Sequence, residues 1–182
     1  MIITDGLSEI EYKSTRVVIG KFDGIHMGHR RLIREITGSK DGAKAVVFTF
    51  TGESEKFLKN SGRILSKEER YRIFESLGVD CLVEYELNEE TMKTEPEEFA
   101  REILKNRLHC KELVCGPDLS FGYKGRGNVE LLKSMEKELG IKVTVIEKVK
   151  YKGRDISSTR IRNALKKGNL SEAHEMLEGK NP

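Results

Sequence analysis

The chain is poor in the features that mark several large classes of protein. Cysteine is scarce: Cys81, Cys110 and Cys115 form an odd set without a C-x-x-C spacing. That argues against a disulfide framework and a cysteine zinc site, and leaves reduced, mostly buried thiols as the expectation. No stretch approaches the roughly 20 apolar residues of a membrane span. Met1 to Glu11 carries acidic residues where a secretory signal needs basic and then apolar ones. A cytoplasmic protein is expected, and the N-x-S at Asn169 to Ser171 is discounted as a glycosylation acceptor. The charge excess is small, +3 at pH 7, far from a nucleic-acid-binding composition. No nucleic acid and no membrane is expected as a partner. The common nucleotide loops are missing too: there is no Walker lysine pattern, and Gly125-Arg126-Gly127 lacks the third glycine of a dinucleotide fingerprint.

What is present suits one domain. The 182 residues, 37% hydrophobic and 35% charged, supply one core and a heavily charged surface. Arg16–Gly20, Ala45–Phe50, Cys81–Tyr85, Glu112–Cys115 and Lys142–Val149 read as strands. Helical patterns lie between them. One carries Leu32, Ile33 and Ile36, and one opens on the capping box Ser66 to Glu69 and stops at Gly78. A third opens on Thr94 and Glu97 with Pro96 in its first turn, and a fourth runs from about Val129 to Leu139. Two short helices, Ser158–Lys167 and Ser171–Leu177, close the chain. Alternating strands and helices predict an α/β fold, a doubly wound Rossmann-like parallel sheet of about five strands with flanking helices. Ligands bind such folds at the carboxyl ends of the strands, near the point where strand order reverses.

The loop after the first of these strands reads Gly20-Lys21-Phe22-Asp23-Gly24-Ile25-His26-Met27-Gly28-His29. Two histidines three residues apart share one face of a helix start. Gly28 lets a ligand approach the backbone, and the helix N-terminus attracts phosphate. A zinc pair is disfavoured, because neither His109 nor His174 has ligand spacing. Plain helix-cap histidines are the bland reading. Ser157 and Ser158 stand at another helix start, where capping competes with phosphate contact. Lys148, Lys150 and Lys152 alternate as on an edge strand, and the loop from Gly122 to Gly127 is a lid candidate.

The motif Phe22 to His29 resembles the H-x-G-H signature of the nucleotidylyltransferase superfamily. Its form is that of the adenylyltransferase module of bacterial bifunctional riboflavin kinase/FAD synthetases. Ile156-Ser-Ser-Thr-Arg-Ile-Arg162 and Gly116-Pro-Asp-Leu-Ser-Phe-Gly122 resemble two further motifs of that family, in the same order. The resemblance implies transfer of AMP from ATP to FMN, giving FAD and pyrophosphate with Mg²⁺ assisting and no dedicated metal ligands. It implies catalytic roles for His26, His29 and Arg162. ATP would lie on Gly20, Phe22, Asp23, Gly24, His26, Gly28, His29, Asp118, Ser158, Thr159 and Arg162, and the flavin on Phe57 and Phe121.

Some positions depart from the family pattern. Thr49-Phe50-Thr51-Gly52-Glu53 stands where T-F-x-P-H-P is usual, Leu119 replaces a Phe, Lys21 an Asn, and Asp155 a basic residue. A related nucleotidylyltransferase using another phosphorylated acceptor, or a weakly active nucleotide- or flavin-binding paralogue, remains the alternative reading. The chain reaches Pro182 near where the family's riboflavin kinase barrel would begin. The expectation is one adenylyltransferase-like domain without kinase activity, either a stand-alone protein fed with FMN by a separate riboflavin kinase or one module of a longer protein.

Overall fold

A computed structural model describes residues 1–38, 41–52 and 62–179. Its centre is a six-stranded parallel sheet of β1 (Ile2–Thr4), β2 (Thr15–Ile19), β3 (Lys44–Gly52), β4 (Cys81–Leu87), β5 (Cys110–Cys115) and β6 (Lys142–Val145). The spatial order is β1-β4-β3-β2-β5-β6. The helices are α1 (Met27–Thr37), α2 (Lys67–Ser76), α3 (Pro96–Glu98, continuing as Phe99–Arg107), α4 (Val129–Leu139), α5 (Ser158–Lys166) and α6 (Leu170–Glu178). Among the described residues no helix is long and apolar enough to cross a membrane.

Neighbouring residues of each central strand point to opposite faces, and both faces are covered. Val17, Val46, Phe48, Val83 and Leu113 pack on one side with Phe99, Ile103 and Leu104 of α3 and Leu132 and Met135 of α4. Val18, Val47, Leu82 and Val114 pack on the other with Ile33 and Ile36 of α1 and Phe74 of α2. A third, smaller cluster joins Ile156 and Ile161 to Ala173 and Met176, holding α5 against α6. The chain runs outward from β2 through β3 to β4 and then returns to place β5 on the free side of β2. Strand order therefore reverses between β2 and β5, and their carboxyl ends open a crevice there.

The structure corrects the sequence reading in several places. The sheet has six strands, not five: β1 pairs with β4 through Ile2, Ile3 and Thr4. It is a three-residue edge strand whose Ile2 and Ile3 are 58% and 45% exposed, so no burial pattern announces it. The last long strand ends at Val145 rather than Val149. Beyond it, β7 (Lys150–Tyr151) and β8 (Arg154–Asp155) form a hairpin, turned by Lys152 and Gly153 at φ 49° and 73°. The three alternating lysines thus do not share a strand face. Thr94 does not cap α3. That place falls to Glu95 without a side-chain bond, because Pro96 at the first helical position fixes the helix start one residue later.

The capping box of α2 forms as the sequence indicates. Ser66 Oγ accepts from the Glu69 N–H, and the Ser66 N–H donates to the Glu69 carboxylate at 2.7 Å. Ser66→Ala is expected to cost about 1 kcal/mol of stability, measurable by urea unfolding. A loss below a few tenths would show that the box contributes little.

Candidate active site

The β2–α1 loop is held by burial. Phe22 and Ile25 have φ of 45° and 40°, a region that side chains other than glycine rarely adopt. Both are fully buried. Phe22 packs edge-on against Phe74 at 5.9 Å and lies 4.9 Å from the His29 ring. A Cβ on Gly24 would come within 3.0 Å of Ile64, so that glycine is a packing requirement.

The loop delivers His26 to the N-cap of α1, where its Nδ1 accepts from the His29 N–H at 3.4 Å. The His26 and His29 rings stack, with centroids 3.7 Å apart and planes within 14°. Gly28 makes room chiefly for His26, since a Cβ there would lie 3.2 Å from the imidazole. Burial pulls the His26 pKa down to about 4. Burial, then the neighbouring His26 and Arg70, hold His29 well below its ordinary value. Both rings are neutral at pH 7. With Nδ1 of His26 accepting, its proton resides on Nε2, which is left to donate.

The start of α5 supplies a second wall. Ser157 is the N-cap, accepting from the Arg160 N–H at 3.2 Å, and both Ser157 and Ser158 line the crevice. Thr159 is exposed and does not line it. Arg162 is turned away as well. Its guanidinium donates to Asp23 Oδ2 at 2.6 Å and its Nε to the Gly62 carbonyl at 3.0 Å. The Asp23 and Arg162 side chains are only 4% and 11% exposed. They form a buried strut between the first loop and α5, not a pair of crevice groups.

The crevice holds about 440 Å³. Of the residues singled out from sequence, Gly20, His26, Gly28, His29, Asp118 and Ser158 converge on it. Phe22, Asp23, Gly24, Thr159 and Arg162 do not line it, for the reasons above. Phe121 is also excluded: it is 3% exposed, rests 5.3 Å from Phe99 and bridges to Gly127. Phe57 lies outside the described residues.

Sequence reading missed several lining residues: Lys21, Phe50, Leu119, Ser120, Glu147 and Lys148, with Ile146, Val149 and Ile156 as apolar surface. Their common signal is position, just beyond the carboxyl ends of β2, β5 and β6, with Phe50 in the last residues of β3 and Ile156 directly after β8. Lys148 pairs with Asp118 at 3.0 Å across the mouth. Asp118 hydrogen-bonds the lysine and raises its pKa. The loop from Gly122 to Gly127 borders a second cavity of about 200 Å³ beside Tyr85 and Phe99, and Arg126 pairs there with Glu95.

Two outcomes test this geometry. Arg162→Ala strands the Asp23 carboxylate and is expected to cost about 3–5 kcal/mol, with Asp23→Asn combined with Arg162→Met costing less. Urea unfolding checks both, and a single-variant loss under about 1 kcal/mol would contradict a buried pair. Unfolded His26 takes up a proton near 6.5, but the folded ring does so only near 4. Stability therefore falls as pH drops from 6.5 toward 4. His26→Asn, which keeps a capping oxygen, should make that decline in melting temperature shallower.

Comparison with known proteins places the chain. A family model described as FAD synthetase matches residues 8–160. The bifunctional riboflavin kinase/FMN adenylyltransferase of Buchnera aphidicola subsp. Acyrthosiphon pisum is 34% identical, over 97% of this chain and 59% of the relative. The FAD synthetase of Listeria monocytogenes is 32% identical, over 88% of this chain and 67% of the relative. A crystal structure described as a macrolide-efflux protein from Streptococcus pneumoniae superposes with a TM-score of 0.79 at 30% identity, covering 97% of this chain and 61% of that one. The chain spans 54% and 59% of the length of two bifunctional Buchnera relatives. On the family match, these identities and the parallel sheet with its paired-histidine loop, the chain belongs to the FAD synthetase family.

Proposed function

We propose that this chain is an FMN adenylyltransferase, transferring AMP from ATP to FMN. A phosphate oxygen of FMN attacks the α-phosphorus of ATP, the bond from that phosphorus to the α–β bridging oxygen breaks, and pyrophosphate leaves with the electron pair. The observation that carries this reading is the convergence of two helix N-termini on one crevice. His26, Gly28 and His29 belong to α1 and Ser158 to α5, at the reversal point of the sheet.

In such a transfer the protein positions two anions and stabilises charge at the phosphorus and the leaving group; it needs donors more than bases. Neutral His26, with its Nδ1 occupied, offers Nε2–H to the triphosphate and has no role as a proton acceptor there. The free amides at the starts of α1 and α5 and the Ser158 hydroxyl add further donors. The apolar surface of Ile146, Val149 and Ile156 suits the nucleoside, with Asp118 at its edge. Arg162 enters as a positioning residue through Asp23, because its guanidinium does not line the crevice. Phe121 and Thr159, as placed here, serve packing and solvent exposure.

Among the described residues no group of three or more His, Cys, Asp or Glu could hold a metal ion. The carboxylates lining the crevice are Asp118 and Glu147. Mg²⁺ ordinarily takes phosphate oxygens and waters with one or two carboxylates, so this donor set fits an ion that arrives on the triphosphate. An ion carried in that way would supply neutralising charge at the pyrophosphate, with Asp118 and Glu147 the crevice carboxylates within its reach.

Purified protein with ATP, Mg²⁺ and FMN should yield FAD and pyrophosphate by chromatography. Turnover only with other phosphorylated acceptors would move the assignment to a neighbouring nucleotidylyltransferase, and no turnover would favour a binding protein. His26→Ala and His26→Asn should both lower turnover by roughly 10² to 10³ with little change in ATP affinity. Only the alanine variant should also lose about 1 kcal/mol of stability with the cap. Unchanged turnover in both would remove His26 from the mechanism.

A further inference from the structure

The crevice must accept two phosphorylated substrates, yet its histidines contribute no positive charge at neutral pH. The cations that reach it or its walls are therefore decisive. Arg162 is committed to buried Asp23, and Lys148 to Asp118. Lys21 lines the crevice, is exposed, and makes no ion pair and no side-chain hydrogen bond among the described residues.

The placement of Lys21 is fixed by its backbone. The Lys21 carbonyl accepts from Thr49 Oγ1 at 3.2 Å, and the preceding Gly20 N–H donates to the Phe48 carbonyl at 3.1 Å. Thr49 is fully buried, so this end of the loop is pinned to the last residues of β3. The next residue, Phe50, lines the same crevice and is held by ring contacts with Phe48 at 5.4 Å and Phe99 at 6.4 Å. A lysine without a side-chain partner among the described residues thus lines the same crevice as a fixed aromatic ring on the β3 side. The opposite side, beyond β6, carries the apolar nucleoside surface and the Asp118–Lys148 pair. A cation beside an aromatic wall matches a ligand with a flat aromatic ring and a phosphate monoester, which carries about two negative charges at pH 7.

We infer that Lys21 binds the phosphate of the acceptor and is the residue by which this crevice distinguishes a phosphorylated flavin from its phosphate-free parent. The inference rests on the proposed adenylyltransferase reading and adds to it a specificity determinant. Lys21 would hold the acceptor phosphate against repulsion from the triphosphate, while Phe50 supplies a face for the ring.

The test compares FMN with riboflavin by flavin fluorescence titration at physiological ionic strength, without ATP, in the wild type, Lys21→Met and Lys21→Arg. The wild type should bind FMN more tightly than riboflavin. Lys21→Met should weaken FMN binding roughly 10- to 100-fold, leave riboflavin and ATP affinities unchanged and retain the wild-type melting temperature. Lys21→Arg should recover most of the difference. If Lys21→Met still prefers FMN to the wild-type extent, or loses ATP affinity instead, the assignment of Lys21 is wrong even though FAD formation by the wild type stands. If the wild type neither binds FMN nor makes FAD, the adenylyltransferase reading itself fails and this inference falls with it.

Discussion

Burial of Phe22 and Ile25 is the constraint on which the site depends. Both residues sit in a backbone region that costs of order 1–3 kcal/mol, and both side chains are completely enclosed. Full burial of two such side chains is worth about 1.5–3 kcal/mol each, enough to hold the loop in that shape. The loop then has little freedom left: it presents Asp23 inward to Arg162, delivers His26 to the helix cap and turns Gly28 and His29 toward the crevice. These groups hold their places without a ligand to order them.

The same enclosure sets the chemistry available. Histidines are usually read as acids and bases near neutral pH. Here burial and mutual stacking remove that option and leave two uncharged rings at a helix start. Uncharged donors fixed beside a helix N-terminus can follow charge as it develops without having to release a proton. Positive charge is instead held at the rim, in Lys21 and Lys148, where long side chains can move with a ligand.

How much of this was legible in the sequence follows from how local each signal is. The runs of β2 and β3 were readable because both faces of those strands are buried, so Val17–Ile19 and Ala45–Phe48 are uninterrupted apolar stretches. β1 was not, since three half-exposed residues give no pattern. The histidine pair and the α5 start were readable because helical spacing alone puts their residues at one end. The Arg162 pairing was not legible: its place in a motif suggested a ligand contact, whereas its partner Asp23 lies far away in sequence and only the fold reveals it. Phe121 was ambiguous for a similar reason, because a loop aromatic looks the same whether it faces Phe99 or a ligand.

The Asp23–Arg162 strut also bears on the order in which the protein can assemble. Its partners are separated by 139 residues, so the contact closes a loop spanning most of the chain, and that closure entropy is spent before the contact repays it. During synthesis the β2–α1 loop emerges early, but the guanidinium that neutralises its inward carboxylate is made only after β6 and the hairpin have followed. Until then the first loop has no reason to bury Asp23. A nascent chain can lay down β2, β3 and β4 and still lack a formed crevice. The crevice between the β2–α1 loop and α5 is therefore complete only once α5 docks, and does not build up gradually as the sheet grows.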